Sequence, residues 1–408
     1  MATVDRHMPQ DSLNYGTLLR HASTPRPLTL GGDNKMAARA VGAARRLVVK
    51  IGSDLVVDWN TGSTRQAWLA TLVHDIARLR RLRCDVVLVS SGAVAMGRHM
   101  LGLHGEKLRV RERQAAAAAG QMNITRAYTE LFAREGLSAA QVLLTPDDTA
   151  LRHRNRNLRA MLTQLLSNGA IPIVNENDAV TTSAAGFGDN DRLAARIAQI
   201  IVADMLVVLS NIDGLYTSDP MRSASATPIR EVHEITSEIE RMAGGSSSCY
   251  GSGGMTTKIA AARMAFAIGC AMVIADGRNA QPLSRIDSGE PCTWFLPPQA
   301  ARIARKAAIA SSFAPSGDLV VHLTAAEEIR RGRNLDVTGI RGFVGHFARG
   351  NVVAVRDLDG KEIARGLALC SSFELDEARR LTAAETAVAP LDLARNLIVH
   401  SDDIVLTE

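Results

Sequence analysis

LVVKIGS at residues 47–53 is an apolar run, broken only by Lys50, that stops abruptly in a glycine and a serine. Five residues is strand length, and side chains apolar on both alternations belong to a strand covered on both faces. VVLVSSG at 86–92 repeats the pattern, and similar runs stand at Gln141–Leu144, Ala170–Val174, Leu206–Leu209 and Ala271–Ile274. Helical segments lie between them. Trp68, Leu69, Leu72, Val73, Ile76 and Leu79 share one face at helical spacing, and Ala115–Ala119 continues another helix. Strands alternating with helices predict an α/β fold, a mostly parallel sheet sandwiched by helices. Strand after strand, four in all, runs straight into small or polar residues: Gly52-Ser53, Ser91-Gly92-Ala93, Asn175-Glu176-Asn177-Asp178, Ser210-Asn211. Open α/β sheets bind ligands beyond the carboxyl ends of their strands, so four such ends in one layer predict a site.

The 408 residues are 46% hydrophobic and 22% charged, which excludes a disordered chain, a collagen and a disulfide-stapled mini-protein. The length predicts two domains, or three with small extras. No apolar run nears the ~18–20 residues that cross a bilayer, so no membrane partner is expected. Net charge is +5, but residues 1–46 hold seven Lys and Arg against three Asp, a net of +4. The remaining body is close to neutral. Aromatics at 4% are thin for a base-stacking surface. Five scattered cysteines without a Cys-x-x-Cys pair fit reduced thiols in a cytoplasmic protein. No secretory signal is legible at the start.

Pro297-Pro298 and the Ala/Ser/Pro/Gly stretch Ala307–Gly317 read as a linker. Short strand-like segments follow at Leu319–Leu323, Gly342–Gly345, Asn351–Arg356 and Glu362–Leu369, with Asp359-Gly360 as a hairpin signal. The expected organisation is a poorly ordered extension over 1–45, an α/β domain over 46–298, a linker over 299–316 and a small β-rich domain over 317–395.

Three constellations carry chemistry. Lys50 sits in an apolar strand just before Gly52-Ser53, where backbone amides can approach a phosphate. Asp189, Asn190 and Asp191 follow Gly186 and Gly188 ahead of a helix, and such a cluster can hold a lysine pair and the amine of a zwitterionic substrate. The loop Gly251-Ser252-Gly253-Gly254-Met255-Thr256-Thr257-Lys258 lacks the Walker spacing, yet it supplies glycines for a phosphate and a lysine at a helix start. Lys50 and Lys258 could neutralise a transferring phosphoryl group from both sides, which positioning and electrostatics make sufficient.

The order of these motifs resembles the amino-acid kinase superfamily and, within it, the glutamate 5-kinase family. The resemblance rests on VVKIGS at 48–53, SSGAVAMGR at 90–98, AAAGQ at 117–121, IPIVNENDAV at 171–180, GDNDRLAA at 188–195, DGLYTSDP at 213–220 and SGGMTTK at 252–258. GIRGFVGHFARGNVVAVRDLDGKEIARG at 339–366 is similar to the PUA domain appended to many of these kinases. The resemblance implies that Lys50 and Lys258 flank the phosphoryl group and that Asp191 orients them. It implies glutamate binding at Ser91, Asp178 and Asn190, with Asp189 beside them. Nucleotide binding is implied at Lys50, Gly52, Ser53, Ser210, Asn211, Ser252, Gly253, Gly254, Met255, Thr256, Thr257 and Lys258. The implied reaction is ATP plus L-glutamate giving L-glutamyl 5-phosphate, the opening step of proline synthesis, with Mg²⁺ on the ATP phosphates and with proline as feedback inhibitor. A homo-oligomer, dimer or tetramer, is implied as well.

The chain departs from the family pattern at Asp54, at Ser210-Asn211, at Cys249 and over Leu151–Leu158. Rival acceptors within the superfamily are aspartate, carbamate, acetylglutamate and nucleoside monophosphates. RNA binding through the PUA-like segment is a further alternative, disfavoured because residues 318–380 hold ten Lys and Arg against ten Asp and Glu.

Overall fold

The computed structural model describes residues 40–103, 108–181, 190–244, 254–298, 301, 315–383 and 397–407. The expected site residues Asp189, Ser252 and Gly253, with Cys249 and most of the expected linker, lie outside the described residues.

The apolar runs form the strands β1 (Arg46–Ile51), β2 (Asp85–Ser90), β3 (Ala139–Leu144), β4 (Ile171–Glu176) and β5 (Met205–Ser210). A two-stranded ribbon, β6 (Leu215–Tyr216) with β7 (Pro228–Ile229), precedes β8 (Glu231–Val232), β9 (Ala271–Asp276) and β10 (Cys292–Phe295). Eight of these strands make one sheet in the order β3-β4-β2-β1-β5-β9-β10-β8. Pairing is parallel except between β9 and β10.

Strand alternation sorts the core into two layers. Leu47, Val49 and Ile51 face the layer of the helices Gln66–Arg81 and Val110–Arg134, with Leu69, Leu72, Tyr128 and Phe132. Val48 faces the other layer, with Leu193 and Ile197 of helix Asn190–Ile201 and Ile259 and Ala262 of helix Met255–Phe266. Lys50 shares the parity of Val48, so it rises on the side where those two helices begin. β1 is flanked by β2 on one side and β5 on the other, so the chain's winding reverses there. A ligand crevice belongs at that reversal.

Glycine sets one close approach that matters for the site. Helix Ala93–Met100 crosses helix Val110–Arg134 so tightly that a Cβ on Gly97 would collide with the Ala116 carbonyl, and one on Gly120 with the Ala93 carbonyl. The two motifs SSGAVAMGR and AAAGQ therefore meet face to face.

A second sheet takes the order β13-β11-β14-β15-β17, from Ile340–Gly345, Gly317–Val321, Val352–Arg356, Glu362–Leu367 and Ile404–Leu406. A small pair, β12 (Leu335–Asp336) with β16 (Leu397–Val399), sits beside it. β14 and β15 are antiparallel across a turn with Gly360 at φ +81°, where the hairpin signal stood. Two boundaries move. β16 and β17 carry this unit past residue 395, because β17 closes the edge of β15. The extension also ends before 45: Val41 is buried and its N–H meets Asp287 Oδ1 at 2.6 Å. Among the described residues no helix is long and apolar enough to cross a membrane.

Candidate active site

Three expected residues converge. Lys50 comes from β1, Asp191 from the first turn of helix Asn190–Ile201, and Lys258 from the first turn of helix Met255–Phe266. Lys50 Nζ lies 2.8 Å from Asp191 Oδ1, and Lys258 Nζ lies 3.3 Å from Asp191 Oδ2. The Thr257 hydroxyl donates to Asp191 Oδ2 at 3.0 Å. Asp191 is fully buried, and both lysines are nearly so. Burial pushes the Asp191 carboxyl up, but the Lys50 and Lys258 ammoniums and the Thr257 hydroxyl outweigh it and hold the group well below the usual carboxylate range. The acid is thus ionised and fixes two cations in one place. Lys258 has three donors and gives one to Asp191, so it retains donors for an anion.

The strand-end residues surround this triad. Gly52 caps the short helix Ser53–Val56, and Gly254 caps helix Met255–Phe266. Helix N-termini present unpaired N–H groups, which suit phosphate oxygens. β1 and β5 pair Ile51 with Leu209, so Ser210 stands one step on, beside Gly52. Ser210 and the exposed Asn211 sit at the rim, 3.4 Å apart through Oγ and Oδ1. Met255 packs on the helical core layer, and the Thr256 hydroxyl is turned away to the Ala243 carbonyl at 3.1 Å. Thr256 therefore faces away from the triad and Thr257 faces into it. Asp54 is accounted for: its Oδ1 accepts from Trp59 Nε1 at 2.8 Å and from Ser53 Oγ at 3.3 Å. Its carboxylate is thus engaged by an indole and a hydroxyl within the fold.

The expected glutamate residues divide. Asn190 Nδ2 donates to Ser91 Oγ at 2.8 Å and to Asn175 Oδ1 at 2.9 Å, so Ser91 and Asn190 form one unit. Asp178 is held by Arg113 at 3.0 Å. Asp178 lines a cavity of about 180 Å³ with Ala93, Gln121, Gln141, Glu176 and Asn177. Gln121 and Arg113 carry no expected role from the sequence, and Asn175 enters it only as part of a polar strand end. Gln121 closes AAAGQ and Asn175 opens NEND, so both motifs carried the signal without showing that the residues touch.

The amino acid kinase family model matches residues 45–276, and the PUA domain model matches residues 317–388. The chain belongs to the amino acid kinase family. It is 47% identical over 367 residues to a protein named glutamate 5-kinase from Paramagnetospirillum magneticum, covering 89% of this chain and 98% of that one. A glutamate 5-kinase from Allorhizobium ampelinum is 46% identical over 89% of this chain and 93% of its own length. A UMP kinase structure from Bacillus anthracis is similar over 62% of this chain and 96% of that chain, at a TM-score of 0.44 and 16% identity.

Proposed function

We propose that this family member transfers the γ-phosphoryl group of ATP to the γ-carboxylate of L-glutamate, giving L-glutamyl 5-phosphate and ADP, the first step of proline synthesis in the cytoplasm. The observation that carries the reading is one buried carboxylate holding two ammonium groups where three helix N-termini and the ends of β1 and β5 meet. The near-full-length likeness to proteins named glutamate 5-kinase supplies the acceptor.

The chemistry asks little of a base. A glutamate carboxylate is already ionised at neutral pH, so it attacks the γ-phosphorus directly. The new bond joins the carboxylate oxygen to phosphorus, the bond from phosphorus to the β–γ bridging oxygen breaks, and ADP leaves with that electron pair. Charge shifts onto the transferring group and the leaving oxygen, where fixed cations stabilise it. Lys50 and Lys258 do this work, and Asp191 with Thr257 keeps them in place. Gly52, Ser53, Ser210, Asn211, Gly254 and Met255 lie where the nucleotide would rest, and Ser252 and Gly253 belong to the same proposed loop.

Asp191 is committed to two ammoniums, so it is poorly suited to hold a divalent ion as well. Mg²⁺ would arrive on the ATP phosphates and offset their charge there. Ser91 accepts from Asn190 and so has its own O–H left to donate to a carboxylate. Asn190 has spent both N–H bonds and has Oδ1 left to accept from an ammonium. Together they read the two charges of an amino acid, with Asp178 and Asp189 as further groups for the amine. Proline carries the same pair of charges, which supports its assignment as an inhibitor competing for these groups. A homo-oligomer is part of the same reading.

The test is an acyl-phosphate trap with hydroxylamine, run with ATP and glutamate, aspartate, acetylglutamate, carbamate or UMP as acceptor, alongside ADP release. Hydroxamate formation with glutamate, reduced by added proline, is the expected result. Turnover of another acceptor in place of glutamate would overturn the assignment.

A further inference from the structure

We infer that Gln121, on helix Val110–Arg134, is a positioning residue for the amino-acid substrate: it sets which way the amide of Asn190 faces, acting through Asn175. The inference rests on the proposed reading of Ser91 and Asn190 as substrate groups and adds what holds them in that sense.

Hydrogen-bond polarity along the relay is set by a group that has no choice. The Thr125 hydroxyl donates to the Gln121 main-chain carbonyl at 2.9 Å, and a carbonyl can only accept. With its proton spent there, Thr125 Oγ1 can only accept from the Gln121 side chain, whose Nε2 lies 3.3 Å away. The Gln121 amide is therefore turned with Nε2 toward Thr125 and Oε1 toward the sheet. Oε1 accepts from Asn175 Nδ2 at 2.9 Å, which turns Asn175 Oδ1 toward Asn190. Asn190 then has to present Nδ2, which donates to Asn175 and to Ser91. Its Oδ1 is left for the substrate.

The central link is buried and the flanking ones are partly so. Gln121 and Asn175 are 9% and 3% exposed, so water is a poor substitute for a missing partner. A reversed Asn190 amide would set Oδ1 against Asn175 Oδ1, two acceptors facing each other, and would offer N–H groups to an ammonium. The alignment of Gln121 with Asn175 depends in turn on the close crossing at Gly120 and Ala93, one residue away. Neither Gln121 nor Thr125 needs to touch the reacting atoms.

The experiment compares steady-state kinetics of the full chain carrying Gln121→Leu, Gln121→Glu or Thr125→Val. Leucine removes the acceptor for Asn175 at similar size, so KM for glutamate is expected to rise about tenfold, the weight of one such bond, with kcat within about threefold and KM for ATP unchanged. Glutamate at 121 keeps an oxygen toward Asn175 whether or not it is protonated, so its KM is expected to stay within about threefold of wild type. Thr125→Val, at a half-buried position that tolerates the change, frees Gln121 to turn and is expected to fall between the two. A residue that merely fills space would move stability in all three variants and leave the split between the leucine and glutamate variants absent. Equal KM values for glutamate in the wild-type, leucine and valine proteins would overturn the relay alone. A wild-type protein without glutamate turnover would overturn the proposed substrate, and the relay's role with it.

Discussion

Strand β1 has cations at both ends, and the two ends are built for different purposes. At its carboxyl end Lys50 meets Asp191, which also holds Lys258. At its amino end Arg46 reaches Asp85 at 3.7 Å, while Arg80 holds the same acid at 2.6 Å and Arg349 of the C-terminal unit approaches it at 3.9 Å. Arg45 lies 2.9 Å from Asp403 and 3.4 Å from Asp204, and Arg349 donates to the Arg83 carbonyl at 2.8 Å. Both ends bury an acid among cations. The carboxyl end uses lysines, compact charges with rotatable donors, which the proposed reaction would share with a phosphoryl group. The amino end uses arginines, whose forks lock onto fixed carboxylates and carbonyls. The difference teaches that a buried ion cluster is not by itself a site. What matters is whether its cations are left something to give.

The sharpest way to break this contrast is to remove the lysines. Lys50→Ala or Lys258→Ala is expected to lower kcat by about a hundredfold to a thousandfold, the usual loss when one fixed donor to a developing charge is deleted. KM for glutamate should move far less, because the charge these groups meet grows only in the transition state. Initial rates of ADP release measure both. An unchanged kcat in either variant would remove that lysine from the mechanism.

The next effect is on stability, at the other end of the strand. Asp85→Asn leaves the buried Arg46 and the half-buried Arg80 without their carboxylate, and such a loss costs about 3 kcal/mol. Urea unfolding should show it, with kcat per folded molecule unchanged within about twofold. A large fall in kcat at full stability would mean that the junction takes part in catalysis.

How much of this contrast was legible in the sequence follows from where its residues lie. The carboxyl end was legible because strand ends announce themselves: Lys50, Asp191 and Lys258 each stand at an apolar run or helix start beside glycines. The amino end was not. Asp85 opens a strand after Cys84, Arg349 sits in a loop 264 positions later, and no local pattern ties them. The fit of Gly350, at φ +78° with its α-carbon so close to the Arg46 guanidinium that a Cβ would collide, is likewise a property of the folded pair. The amide relay was half legible. Its residues were inside recognised motifs, but which atom of Asn175 faces Gln121 depends on a hydroxyl one helical turn away. The parallel core was readable from apolar runs, whereas the reversal of β10 against β9 was not, since CTWF carries no local sign of strand direction.

A smaller effect sharpens the junction. Arg349→Ala removes one hydrogen bond to the Arg83 carbonyl and one contact to Asp85, together about 1–2 kcal/mol. Val202 still packs with Val352, Leu367 and Val405, so the C-terminal unit should stay docked but open more often. Hydrogen exchange is expected to quicken over residues 82–86 and 346–352 and to stay unchanged over 190–195. Faster exchange at the helix that carries Asp191 would show that the two ends of β1 are coupled after all.

The smallest expected effect is one of pH, and its sign follows from Asp191. Burial raises this carboxyl and the two lysines with Thr257 lower it further, so its folded value lies below the ordinary 3.8. A group shifted down on folding contributes its full stability above its unfolded value and loses it as pH falls through the folded one. From about pH 5 to about pH 8 Asp191 therefore contributes no slope to stability and no inflection to kcat. Below 3.8 the stability difference between wild type and Asp191→Asn should shrink as pH falls, because the unfolded carboxyl takes up its proton first. Paired urea titrations across that range measure the difference directly. A gap that widened on acidification would mean that the carboxyl is raised in the folded protein, with burial stronger than both lysines, and the triad could not then be the fixed charge that separates this end of β1 from the other.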